Sequence, residues 1–258
     1  MNPLALIGRF FIALFGEIGS IFIFASKAVP AVVTPPIYLR LIVQQMMRIV
    51  YFSLPVVGLT AFFTGGALAL QIFIGSDIGA QSLVPQIVVL GITRELGPVM
   101  AGLMVAGRVS AAIAAELGTM RVTEQIDALV TLSTNPFKYL VAPRLIAAVL
   151  TMPILVAIAD IIGVMGGWVV GVYSLDFNSA IYLKNTVNGL ETGDVTSGLY
   201  KAAVFGFIIA LMGCFHGYNS KGGAQGVGAA TTNAVVSAAI LILAANYVMT
   251  AMFFGGGR

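Results

Sequence analysis

The sequence predicts an all-α integral membrane fold: an N-terminal interfacial helix, about five transmembrane helices, and a polar cytoplasmic helix between spans two and three. Three observations predict it. Hydrophobic residues fill 59% of the 258 positions and charged residues only 9%, whereas soluble domains carry roughly 25% charged residues. Mean hydropathy is +1.01, more apolar surface than a water-soluble fold can cover, so the solvent for most of the chain is lipid. Lysine and arginine also gather on one side of the apolar stretches, which sets an orientation.

Residues 3–28 form an apolar helix candidate flanked by Arg9 and Lys27, with Glu17 near its middle. Its apolar stretch, Phe10 to Ser26, is short for a span of roughly 20 residues, so the helix is expected to lie in the cytoplasmic interface. A true span is the alternative. No cleavable signal peptide is evident around it. Residues 1–34 are assigned to this helix and 35–258 to the transmembrane core of one domain. Val33–Thr34–Pro35–Pro36 ends the first helix, because proline cannot continue one. Ile37 to Arg48 reads as amphipathic and leads into span one. Residues 49–76 hold no charge, and Asp77 closes them. Pro55, Gly58, Gly65 and Gly66 imply a bent, closely packed helix.

Span two is expected over Leu83 to Ala112, interrupted by Arg94–Glu95, and span three from Pro143–Arg144 to Tyr173, with Asp160 inside. Gly163, Gly167 and Gly171 follow Asp160 at four-residue spacing, a ridge of small residues that permits close helix contact. Asp160 is read as part of that packing. Span four covers Ser197 to Tyr218. The glycine-rich stretch Gly222 to Gly228 reads as a turn, and span five runs from Thr231 to Phe254. With the N-terminus inside, the cytoplasmic face receives Arg9, Lys27, Arg40, Arg48, Arg108, Arg121, Lys138, Arg144 and Lys221. The other face receives only Lys184 and Arg258 outside the spans, which places the C-terminus there.

Between spans two and three, Val122, Ile126, Leu129 and Val130 share one helical face, while Arg121, Glu124, Gln125 and Asp127 lie largely elsewhere. A helix lying passively on lipid is one reading. Its mixed-sign polar face gains little from anionic lipid and suits docking to another protein.

Charges inside a span cost roughly 2.5–3.5 kcal/mol at the helix centre, so they should face protein or water. Arg94 and Glu95 point about 100° apart on a helix and need not pair with each other. They serve either as a structural ion pair with other helices or as groups facing a cavity. Lys201 either snorkels to the interface or faces an outward cavity. The lone Cys214 reads as a small core residue. One histidine, His216, without neighbouring ligands makes no metal site. The sequence contains no phosphate-binding loop of the G-x-x-x-x-G-K-[ST] type, no nucleophile–base pair, and no basic surface suited to nucleic acid.

The segment Ala106 to Leu129, AGRVSAAIAAELGTMRVTEQIDAL, resembles the signature of the MlaE/YrbE permeases. Arg94-Glu95-Leu96-Gly97-Pro98 is similar to their second-span motif. Asn135-Pro136, Pro143-Arg144 and Gly166-Gly167 also fit, so the resemblance covers about residues 35–254. It departs from some relatives at Gly228, Ala229 and Asn233, where those carry basic residues.

The resemblance implies a homodimeric permease in the bacterial inner membrane, moving phospholipid between that membrane and a periplasmic carrier or the outer membrane. It implies three partners: a cytoplasmic ABC ATPase (MlaF-like) that binds ATP and magnesium, a periplasmic MCE-protein hexamer (MlaD-like), and a STAS-domain protein (MlaB-like). The chain itself needs no cofactor. Glu116, Gly118, Met120, Arg121, Glu124, Gln125 and Asp127 would form the ATPase-coupling helix. Arg94, Glu95 and Lys201 would lie near the lipid head group, with Leu68 and Ile72 on the apolar cavity wall. A permease for another hydrophobic lipid or a solvent, an autonomous secondary transporter, and a membrane scaffold without cargo are the competing readings.

Overall fold

In the computed structural model, residues 3–36, 38–75 and 83–255 are described. Asp77 and Arg258, which the sequence places at the outer ends of spans, lie outside them. Eight helices follow one another among the described residues: α1 (Pro3–Val33), α2 (Leu39–Gly75), α3 (Leu83–Val122), α4 (Gln125–Thr131), α5 (Phe137–Tyr173), α6 (Ser179–Asn188), α7 (Thr192–Tyr218) and α8 (Gly223–Phe254). The chain is a multi-pass membrane protein. Six of these helices, α1, α2, α3, α5, α7 and α8, are long and apolar enough to cross a bilayer.

Several elements differ from the sequence-based expectation. The first helix extends to Val33 with Pro30 inside it, so it is 31 residues long rather than short. The amphipathic stretch before span one is continuous with that span in a single 37-residue helix. Span two continues ten residues past Ala112, to Val122. Ile113, Ala114 and Leu117 are buried there, so interior packing carries the helix beyond the purely apolar run.

The glycine-rich stretch is not one turn. Gly222 (φ 89°) and Gly223 (φ 65°) reverse the chain in the left-handed region, where a side chain is strained. From Gly223 onward the backbone is helical. Helix α6 has no counterpart in the hydropathy pattern. Asn178 starts it, its Oδ1 accepting from the N–H groups of Ala180 (3.0 Å) and Ile181 (3.2 Å), a side-chain N-cap.

The tightest packing joins α2 to α5. A Cβ on Gly65 would stand 1.8 Å from the carbonyl oxygen of Gly163, and one on Gly166 would stand 2.1 Å from that of Phe62. The backbones therefore touch, as small residues allow in lipid. Gly167 of the predicted ridge meets Val88 and Tyr182 as well as the Gly65 carbonyl, and Gly171 meets Tyr182 and Phe177. Helix α7 forms the centre of the bundle: 67% of its most apolar stretch is buried, against 11% for α8. Along α8, Val236, Ile240, Leu243 and Tyr247 are exposed. Cys214 is fully buried on α7.

One end of the bundle is basic. There Glu116 bridges Arg144 (2.8 Å) and Arg48 (3.4 Å), and the Lys138 ammonium donates to the Pro35 carbonyl (2.9 Å). Helix α1 packs at this same end. Phe24 lies 5.1 Å from Phe137, 5.7 Å from Phe215 and 5.8 Å from Tyr218 between ring centres.

Candidate functional site

Near the other end, α3 carries a π turn at Ile92–Leu96. The extra residue in the turn changes which side chains face the neighbouring helices, and such turns recur at functional sites. Arg94 and Glu95 sit in it and diverge to different partners. The Arg94 Nε donates to Asp194 Oδ1 at 2.6 Å, and its guanidinium lies 4.6 Å from the Phe254 ring centre. Asp194 is buried at the start of α7, where it also accepts from the Glu191 backbone N–H at 3.1 Å. One carboxylate thus holds the arginine and caps the helix.

Glu95 turns to the opposite partners. Lys201 of α7 reaches its Oε1 at 2.9 Å, and Asn246 of α8 donates to its Oε2 at 2.8 Å. The Thr250 hydroxyl lies 2.8 Å from Glu95 Oε1 and 2.8 Å from the Asn246 carbonyl, donating to one at a time. Lys201 has no exposed surface. Its three ammonium protons are matched by Glu95, the Thr250 hydroxyl at 2.8 Å and the Arg94 carbonyl at 2.8 Å. That carbonyl is available because the residue four positions on is Pro98, which has no N–H to donate to it. The lysine therefore does not snorkel: every donor is used inside the bundle. Arg94 and Glu95 remain partly open, with 35% and 37% of their side chains exposed. The result is a polar patch of alternating charge on an apolar bundle, half shielded by α8.

This geometry coincides with a family relationship. The sequence matches the Permease MlaE family over residues 42–252. The chain belongs to the MlaE permease family. It is 61% identical to a probable ABC transporter permease protein of Rickettsia conorii, over 92% of each chain. It is 34% identical to the intermembrane phospholipid transport system permease protein MlaE of Haemophilus influenzae, over 84% of each. A probable ABC transporter permease protein of Synechocystis shares 41% identity over 83% of this chain and 81% of that one. This MlaE-family chain is a permease subunit of an ABC transporter.

In this MlaE-family fold, three of the five sequence-predicted head-group and cavity residues come together: Arg94, Glu95 and Lys201. Leu68 and Ile72 do not join them. They pack against a smaller apolar cluster with Val84, Val88, Ile92 and Tyr182. Asp194, Asn246 and Thr250 belong to the network and were not singled out from sequence. The available signal was Asn246 and Thr250, four residues apart on the uncharged fifth span, together with the need of an arginine within a span for an acid.

The coupling segment is not one helix. Helix α3 ends at Val122, Glu124 adopts a left-handed conformation (φ 59°), and α4 begins at Gln125. Its side chains divide by role. Gly118 packs on Val227 and Ser220, and Met120 is partly buried in the core. Glu116 is bound to two arginines, and Arg121 to Asp127 at 2.6 Å. Glu124, Gln125 and Asp127 are exposed around the bend, while Ile126 is fully buried. Val130, placed on the apolar face by spacing, is 55% exposed in the last turn of α4.

Proposed function

We propose that this chain is the membrane subunit of a homodimeric ABC transporter that moves phospholipid between the inner membrane and a periplasmic carrier. The observation that carries the reading is the half-open Arg94–Asp194 and Glu95–Lys201 patch beside the bare face of α8. A second copy packed on α8 would enclose two such patches with apolar walls around them. A zwitterionic or anionic head group has donors and acceptors to meet there, and acyl chains meet surfaces like the bilayer core. The phospholipid named for the Haemophilus relative supports this cargo.

The basic end is cytoplasmic in this reading, and α1 lies along the interface there, where Phe24 packs on Phe137, Phe215 and Tyr218. ATP and magnesium belong to a separate ATPase that docks at the bend formed by Glu124, Gln125 and Asp127. Nucleotide binding there would shift the bundle between two arrangements. A periplasmic MCE hexamer would receive or deliver lipid, and a STAS-domain protein would accompany the ATPase.

Two measurements test this. In the purified dimer, combining Glu95→Leu with Lys201→Met removes the Glu95–Lys201 half of the patch without stranding either charge. Phospholipid co-purified per protomer should fall several-fold; an unchanged content would remove the patch from the cargo path. Separately, reversing charge at the exposed bend with Glu124→Lys should weaken ATPase co-purification about tenfold, as one opposed charge pair at an interface does. The melting temperature of the permease alone should not change. Undiminished ATPase recovery would place docking elsewhere.

A further inference from the structure

At the basic end, a pocket of about 640 Å³ opens between α1, the end of α7 and the start of α8. It lies far from the polar patch: Ser220 follows Lys201 by nineteen positions, about 28 Å of helix rise. Lys27 of α1 and Lys221 after α7 line it. Among the described residues, neither is salt-bridged to a carboxylate. Ser220, only 6% exposed, also lines it, and its buried hydroxyl has no hydrogen-bond partner. The first turn of α8 borders the pocket through Gly226, and no side chain caps its N-terminal N–H groups. One acid, Glu17, stands in the lining against the two lysines. The remaining wall mixes apolar residues, Ile23 and Ala229 among them, with the polar Ser20, His216, Asn219 and Asn233.

We infer that this pocket holds the phosphate head group of an anionic phospholipid from the leaflet at the basic end, a site separate from the transport path. Two ammonium groups and an uncapped helix start supply positive potential. The Ser220 hydroxyl donates its otherwise unmade bond to a phosphate oxygen. The apolar part of the wall, with Ile23, Phe24 and Phe137, and the position at the ends of long apolar helices select a lipid over a soluble anion. The turn at Gly222–Gly223 brings Ser220 and Lys221 beside that helix start.

The test is native mass spectrometry of the full chain in detergent, titrated with phosphatidylglycerol, phosphatidylcholine or inorganic phosphate. Phosphatidylglycerol should be retained about tenfold better than phosphatidylcholine, the gain expected of two lysines partly offset by one acid. Lys27→Gln with Lys221→Gln should erase that preference, and arginine at both positions should restore it. Lys184→Gln, at the far end, should leave it intact. Both lysines are exposed, so the double variant should fold. Millimolar inorganic phosphate should not displace the lipid. Equal retention of the two lipids, or a preference that survives the double glutamine variant, overturns the inference. Lysine-dependent binding of inorganic phosphate that displaces the lipid overturns the lipid assignment in favour of a soluble anion.

Discussion

Lys201→Met should destabilise the folded chain by about 3 kcal/mol, the lower end of the range for breaking a buried ion pair. The variant removes the ammonium that satisfies Glu95, the Thr250 hydroxyl and the Arg94 carbonyl together. Glu95 keeps 37% of its side chain exposed, so water recovers part of the loss, which is why the upper end is not expected. Pairing it with Glu95→Gln should be milder than the lysine change alone, because no buried charge is then stranded. Equilibrium unfolding in detergent micelles across the double-mutant cycle measures this. A cycle with no coupling would mean that the 2.9 Å contact contributes nothing to holding α3 against α7.

Gly65→Val should be at least as damaging. Its first added carbon already stands 1.8 Å from the Gly163 carbonyl oxygen. That obstacle is backbone rather than a movable side-chain tip, so α2 and α5 must separate. Overpacking usually costs about 1–3 kcal/mol, and a helix pair forced apart along its tightest seam belongs above that range. The expected result is a large loss of monodisperse protein and a lowered melting temperature, with Gly65→Ala intermediate. Gly75→Ala on the same helix meets nothing within 4 Å and should behave as the parent does. Equal behaviour of the two alanine variants would show that the seam tolerates separation.

These variants fall on opposite sides of what could be read from the residues alone. Gly65, Gly163 and Gly167 were legible as packing positions because small residues at helical spacing in an apolar run have few other uses in lipid. Which glycine meets which neighbour was not: Gly163 lies against Ile92 and the Ala61 carbonyl, and Gly167 against Val88, Tyr182 and the Gly65 carbonyl. Arg94, Glu95 and Lys201 stood out because a charge in an apolar span needs a reason. Their partners did not, since Glu95 meets Asn246 across 151 positions and Arg94 meets Asp194 across 100.

Hydropathy and charge placement add up residue by residue along the chain, so five of the six long apolar helices and the basic side are legible without any contact. Pairing across helices depends on how each helix is rotated about its axis. Here a π turn at Ile92–Leu96 and a left-handed Glu124 set that rotation. Glu124 carries no glycine mark, and Gly97–Pro98 after the π turn marks a disturbed helix without specifying its register. The register of the polar network and the break in the coupling segment therefore emerged from the packed bundle, where many neighbours together hold a backbone geometry that no short window specifies.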